Sequence, residues 1–349
     1  MNRIGTYWPV TTLLAVFVLA LAACTAAAPS PGASGGSKQD AKQERVKLTM
    51  AYSAVEGSFA PFFVAKEAGI FDKYGLDVDL VSMESGPKTA QAMIGGDVQF
   101  AAIGGVIVNA TLAGGDGVLV ATSAPIMPYQ LITVKSINSP KDLKGQKLAV
   151  SSLGSTSHFA VKLALREMGL KEGEDVGVIA AGSQGSRLAA MQAGGAQGTV
   201  ASPPISKAAE NMGFKVLADL SEMKLAYQQA GLGTTRRYIK EHEDVVKRMV
   251  KAHVESIYYF KTQKQVSLDV LKKYLKIEDQ AALEEAYDYF ATKVIPEVPY
   301  VSEKSILTAL EENSANPKAA TAKPEDFYDN RYVKELEDSG FIKSLYQKK

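Results

Sequence analysis

The chain has 349 residues, 22% of them charged and 46% hydrophobic, a balance that excludes disorder throughout and allows two domains with real cores. Its 39 basic and 38 acidic side chains leave a formal charge of +1, without the basic surplus that a nucleic-acid surface needs. One cysteine, Cys24, and three histidines, His158, His242 and His253, lack metal-ligand spacing, so neither a metal nor a cofactor is expected.

At the start of the chain, Arg3 precedes an apolar run over 10–23 that is broken only by Thr11 and Thr12. That run is too short for a spanning helix and reads as an export signal. Its end, Leu21-Ala22-Ala23-Cys24, resembles the bacterial lipobox, which implies lipidation of Cys24 and a lipid anchor to the bacterial membrane. Residues 24–45 are rich in Ala, Pro, Gly, Ser and Lys and read as a flexible tether, with a reach of roughly 25 Å. Within it, Gly32-Ala33-Ser34-Gly35-Gly36 spells the hydrolase elbow, but the strand and helix that give the elbow meaning are missing. Without Arg3 the mature protein carries equal numbers of basic and acidic side chains.

From residue 46 the chain reads as two half-copies about one hundred residues apart. Phe59-Ala60, Lys66-Glu67 and Gly69-Ile70 recur as Phe159-Ala160, Arg166-Glu167 and Gly169-Leu170. With one residue of slippage, Gly86-Pro87-Lys88 and Gly95-Gly96 recur as Gly185-Ser186-Arg187 and Gly194-Gly195. The first copy predicts a strand over 46–52, a helix stopped by Gly69, a strand over 76–81, a helix over 89–94 and a strand over 98–103. A strand over 130–134 and a short helix opened by Ser139-Pro140 follow. The second copy predicts strands over 147–151, 176–180 and 199–201, with helices over 159–168 and 187–192 between them. Beyond a short strand at 216–217 lies a polar stretch, and then helices over 243–263, 267–274, 279–294, 302–312 and 332–346. Alternation of this kind specifies parallel-type α/β sheets covered by helices. The expected division is a signal over 1–23, a tether over 24–45, a first lobe of 46–134 with 232–349, and a second lobe of 135–231.

The series Ala51-Tyr52-Ser53, Lys66-Glu67-Ala68-Gly69-Ile70-Phe71, Tyr74-Gly75-Leu76-Asp77-Val78, Ala92-Met93-Ile94-Gly95-Gly96-Asp97-Val98 and Asp142-Leu143-Lys144-Gly145-Gln146-Lys147 resembles bacterial ABC-importer substrate-binding proteins, in the subgroup of sulfonate, nitrate and thiamine-pyrimidine binders. The resemblance runs from residue 46 to the C-terminus. It implies a two-lobed type II periplasmic-binding-protein fold with a helical C-terminal segment and a ligand in the interlobe cleft. Permease and ATPase partners, a monomer, and no enzymatic activity are implied with it. The alternative is an exported enzyme of pyrimidine or quinone metabolism on the same fold. The yeast-type pyrimidine synthases carry a cysteine-rich motif, whereas Cys24 stands alone here.

Ligands of open α/β sheets sit beyond the carboxyl ends of the strands, where helix N-termini present free N–H groups. The loops in that position supply Tyr52, Ser53, Glu56, Ser58, Phe59, Lys88, Thr89 and Gly104 from the first lobe and Tyr129 from the connection. Ser155, Thr156, Ser157, His158, Gln184, Arg187 and Ser202 come from the second lobe. Lys88 and Arg187, equivalent in the repeat, would meet an anion from opposite walls. Glu56 would repel one and favour a zwitterion, a cation or a hydrogen-bonded ring. His253 lies on an apolar helical stripe and reads as a core histidine. No nucleophile and base stand at a recognisable catalytic spacing.

Overall fold

The computed structural model describes residues 45–83, 85–223 and 226–347; the expected signal, Cys24 and all but the end of the tether lie outside them. Among the described residues no helix is long and apolar enough to cross a membrane.

The alternating segment β1 (Val46–Tyr52) buries Leu48 and Met50 and leads through a tight 3-10 turn into α1 (Ala60–Glu67), which has proline in its first turn. Gly69, at φ 67°, lets the chain turn into the short α2 (Ile70–Lys73). There follow β2 (Leu76–Ser82), α3 (Gly86–Gly95), β3 (Phe100–Ile103), α4 (Val106–Leu112) and β4 (Gly117–Ile126). The second lobe contains β5 (Gln130–Thr133), β6 (Lys147–Val150), α5 (Thr156–Glu167), β7 (Gly177–Ala180), α6 (Gln184–Gln192), β8 (Gly198–Ala201), α7 (Ile205–Asn211) and β9 (Lys215–Asp219). The chain returns through β10 (Ala226–Thr235) to α8 (Arg236–Glu241), α9 (Glu243–Thr262), α10 (Lys264–Leu275), α11 (Gln280–Tyr289), α12 (Glu303–Glu312), α13 (Arg331–Asp338) and α14 (Phe341–Gln347).

The two sheets share one topology. Their orders are β2-β1-β3-β10-β4 and β7-β6-β8-β5-β9. In each, the strand next to last in the order is antiparallel to both neighbours and comes from the other half of the chain. The sheets are therefore mixed, not parallel throughout, and the exchange of β5 and β10 is what makes the chain cross between lobes twice.

This exchange moves the expected boundaries. Residues 130–133 pair with β8 and β9 in the second sheet, and 226–231 open β10 in the first. The sequence reading also lacked β4, and three of the other differences are local. The stretch read as polar before residue 232 is a buried strand, because Gln228 sends its amide to Thr122 Oγ1 (2.8 Å) and the carbonyl of Ala230 (2.7 Å). The helix expected over 279–294 ends as a π-turn at Phe290–Val294. The last helix is split at Ser339-Gly340, where Gly340 has φ 75°.

The first lobe is closed by α9, whose apolar stripe of Val246, Met249, Val250, Ile257 and Phe260 packs against α1 and the sheet. His253, on the same stripe, stacks on Phe62 with ring centroids 4.4 Å apart, and its Nε2 lies 3.0 Å from the Thr122 carbonyl. Burial holds this imidazole down at about 4. The unfolded chain then takes up the proton first, so stability falls as pH drops from about 6.5 towards 4. Between pH 7.5 and pH 5 urea unfolding should lose about 2 kcal/mol through this residue, a slope that His253→Asn abolishes. A wild-type slope unchanged in the variant would count against it.

Candidate functional site

Where β1, β2, β6 and β7 end, the lobes face a cleft of about 370 Å³. Its walls include Ser53, Glu56, Phe59, Ser82 and Gly86 from the first lobe, and Ser151, Ser155, Thr156, Ser157, Gln184, Arg187 and Ile205 from the second. Tyr129, on the connection from β4 to β5, and Gln229, on β10, form the back. The end of α10 contributes Tyr274, Leu275 and Lys276 at the rim.

The deepest feature is a buried carboxylate held by donors from every part of the fold. Glu56 follows β1 in extended conformation and is 1% exposed. Gln229 Nε2 donates to its Oε1 (2.5 Å), while its Oε2 accepts from Gln184 Nε2 (2.8 Å), the Tyr129 hydroxyl (3.1 Å) and the Ser202 hydroxyl (3.5 Å). The orientation of the Gln184 amide is fixed by its other end, which accepts the Ser202 backbone N–H at 3.0 Å. Burial raises the Glu56 pKa from its ordinary value, and the hydrogen bonds from Gln229 and Tyr129 oppose that rise.

Arg187 is the counterpart. It sits in the first turn of α6 and is 2% exposed, and neither its Nε nor its Nη1 has a partner. Burial lowers its pKa, while Tyr129 and Glu56 act in the opposite direction. Gln229 Oε1 is a third buried polar atom at this cleft without a partner. Next to these lies a hydroxyl ladder: Ser157 Oγ accepts from the Ser151 N–H (2.8 Å), donates to Ser151 Oγ (3.1 Å) and stands 3.0 Å from Ser155 Oγ. Ser155 caps α5 by accepting from the His158 N–H. The cleft therefore offers an anion two free charged donors, a group of hydroxyls, and one acceptor for a donor on the same guest.

Of the sequence-derived candidates, Ser53, Glu56, Phe59, Tyr129, Ser155, Thr156, Ser157, Gln184 and Arg187 line this cleft. Ser202 stands behind the wall and holds Gln184 and Glu56. The others are placed elsewhere. Lys88 is exposed and does not line the cleft. It is the third residue of α3 and Arg187 the fourth of α6, and one position is about 100° of helix rotation. Tyr52 packs edge-on against Phe63. Ser58 and Thr89 are fully buried, the latter bonded to the Ser85 carbonyl. Gly104 is wedged against β10, where a Cβ would stand 2.3 Å from the Gln229 carbonyl oxygen. His158 accepts from the Gly154 N–H (2.8 Å) and pairs with Glu172 (2.7 Å), pinning the turn before α5.

Glu56 thus differs from its sequence reading. Protein donors already occupy both its oxygens, so it ties the lobes together where a bare acid would repel an anion. The residues missed include Val55, Ser82, Ser151, Ile205, Gln229, Tyr274, Leu275 and Lys276. Ser82 and Ser151, at the ends of predicted strands, and Ile205, just after Ser202-Pro203-Pro204, carried a local signal, whereas Gln229 and the end of α10 did not. Among the described residues, no cysteine or histidine lines the cleft. The contact between a serine hydroxyl and an imidazole nitrogen, Ser123 Oγ to His253 Nε2 at 3.2 Å, is buried in the first-lobe core.

Comparison with known proteins agrees with this architecture. Residues 41–271 match the NMT1-like family. The taurine-binding periplasmic protein of Escherichia coli K12 is 28% identical over 218 residues, covering 61% of this chain and 66% of that protein, just under two thirds of its length. Among solved structures, the periplasmic nitrate-binding protein NrtA of Synechocystis superimposes with a TM-score of 0.70 at 14% identity, covering 85% of this chain and 89% of that one. The alkanesulfonate-binding protein SsuA of Xanthomonas axonopodis, bound to MOPS, gives 0.66 at 18% identity, with 79% and 94% covered. At such identities the structural likeness speaks for the fold, and the match over both sheets speaks for descent: the chain belongs to the NMT1-like family and has the periplasmic-binding-protein fold.

Proposed function

We propose that this protein is the extracytoplasmic solute receptor of an ABC importer, and that it carries a small organic anion in the interlobe cleft to a permease and its ATPase. The observation that carries the reading is Arg187, a buried guanidinium with unpartnered Nε and Nη1 at the cleft wall. Burying an unpaired charge is costly, and an incoming anion relieves that cost. Gln229 Oε1 requests a donor on the same guest, and Val55, Phe59, Ile205 and Leu275 offer an apolar wall to a short carbon body. Organic sulfonates and carboxylates that bear an amine or hydroxyl have this combination, and the taurine-binding relative supports the same class. The N-terminal segment takes its role from this reading: the export signal is removed, Cys24 is lipidated, and the tether lets a monomeric receptor reach its permease.

The test is a thermal-shift screen of the purified protein against taurine, ethanesulfonate, nitrate, short carboxylates, amino acids and pyrimidines. A ligand at one hundred times its Kd stabilises by about 2.7 kcal/mol, and calorimetry then gives the Kd. An organic anion should give the largest shift. A response confined to neutral pyrimidines, or turnover of any of these compounds, would overturn the reading.

A further inference from the structure

A second set of contacts joins the lobes away from Glu56. Along α5, Thr156, Phe159, Lys162 and Arg166 recur at helical spacing on one face. All four meet elements of the first lobe. The Phe159 ring stacks on Tyr227 of β10 with centroids 4.4 Å apart and planes 15° from parallel, and Thr156 lies beside the Tyr227 hydroxyl. Lys162 and Arg166 each reach a carboxylate oxygen of Glu312 at 3.3 Å. Glu312 is the last residue of α12, a helix packed on β10 and α4. A carboxylate is unfavourable at that end of a helix, so its placement makes sense through its partners on the second lobe. Its side chain is only 16% exposed beneath the two cations. Of these residues only Thr156 lines the ligand cleft.

We propose that Glu312, Lys162 and Arg166, beside the Phe159–Tyr227 stack, form a clasp that holds the lobes closed independently of the ligand and thereby sets ligand affinity. The argument about affinity rests on the receptor reading; the argument about closure does not. A receptor whose closed state is populated before binding has a lower apparent Kd in proportion to that population. Glu312 is accordingly a positioning residue that touches no ligand.

The full-length protein and three variants test this: Glu312→Gln, Glu312→Lys, and Glu312→Lys combined with Lys162→Glu and Arg166→Glu. In the ligand-free state small-angle scattering at low salt should give a larger radius of gyration for the first two variants than for wild type. The charge-swapped triple variant should return to the wild-type value. With ethanesulfonate as probe, Glu312→Lys should raise Kd about tenfold, mainly through faster dissociation, and the triple variant should recover most of it. Raising salt from 0.05 to 0.5 M should weaken binding by wild type more than binding by Glu312→Gln. Equal radii in all four proteins would overturn the clasp, as would a triple variant no better than Glu312→Lys. Failure of ethanesulfonate to bind wild type would count against the receptor reading for that anion alone, and scattering would still decide the clasp.

Discussion

Replacing Arg187 with methionine is expected to weaken binding of an anionic ligand about a hundredfold or more and to raise the melting temperature of the ligand-free protein. The two signs come from one cause. Arg187 is buried with two nitrogens unpartnered, and its counter-charge, Glu56, is already engaged by Gln229, Gln184 and Tyr129. Solvation lost by the guanidinium is not regained, and an apolar chain of similar length removes a buried charge that lacks hydrogen-bond partners. With the anion present, the same group supplies a desolvated charged hydrogen bond, and truncating one partner of such a pair costs about 2–5 kcal/mol of affinity.

Arg187→Lys should fall between, since an ammonium keeps the charge but not the planar donor array. Calorimetry with the best-bound anion and a thermal melt without it measure both effects. Unchanged affinity in Arg187→Met would remove the anion site from this residue. Lowered stability with lost binding would make Arg187 a structural prop.

The two-lobed fold was legible because its punctuation is local. Glycines such as Gly69, Gly96, Gly169 and Gly194 adopt positive φ where the sequence demands a stop, and the repeat doubles each signal. What escaped was long-range. β10 enters the first sheet from the other half of the chain, and its Gln228-Gln229 looks like loop until the partners of those amides are known. Gln229 reaches Glu56 across 173 positions in sequence, a separation that leaves no trace in local composition. Of the residues that helix-starting turns suggested, Ser155, Ser157, Gln184 and Arg187 line the cleft. They failed for Lys88 because a turn locates the backbone, whereas the direction of a side chain depends on its place within the turn.

Glu56→Ala is expected to cost about 3 kcal/mol of stability and to lower the melting temperature by roughly 5 °C. The carboxylate is the point at which β1, the connection carrying Tyr129, β10 and the second-lobe residues Gln184 and Ser202 converge. Removing it leaves several buried donors, of which some re-pair: Gln184 Nε2 keeps Ser202 Oγ at 3.2 Å and Gln229 Nε2 keeps Tyr129 at 3.0 Å. That partial rescue keeps the loss near the lower end for breaking a buried charged network. Glu56→Gln separates charge from shape through pH. Burial raises the folded-state pKa of Glu56 above the ordinary value of 4.5, so the folded protein holds this proton to higher pH than the unfolded chain. Stability from this group is therefore lost as pH rises from 4.5 through the raised pKa, the opposite sense to the His253 effect. Subtracting urea-unfolding curves of Glu56→Gln from those of wild type between pH 4.5 and 8 isolates it, because His253 is common to both. The difference should fall with rising pH and then level off. A difference that grows with pH would mean that the ring of donors outweighs burial and that Glu56 is held as a low-pKa carboxylate.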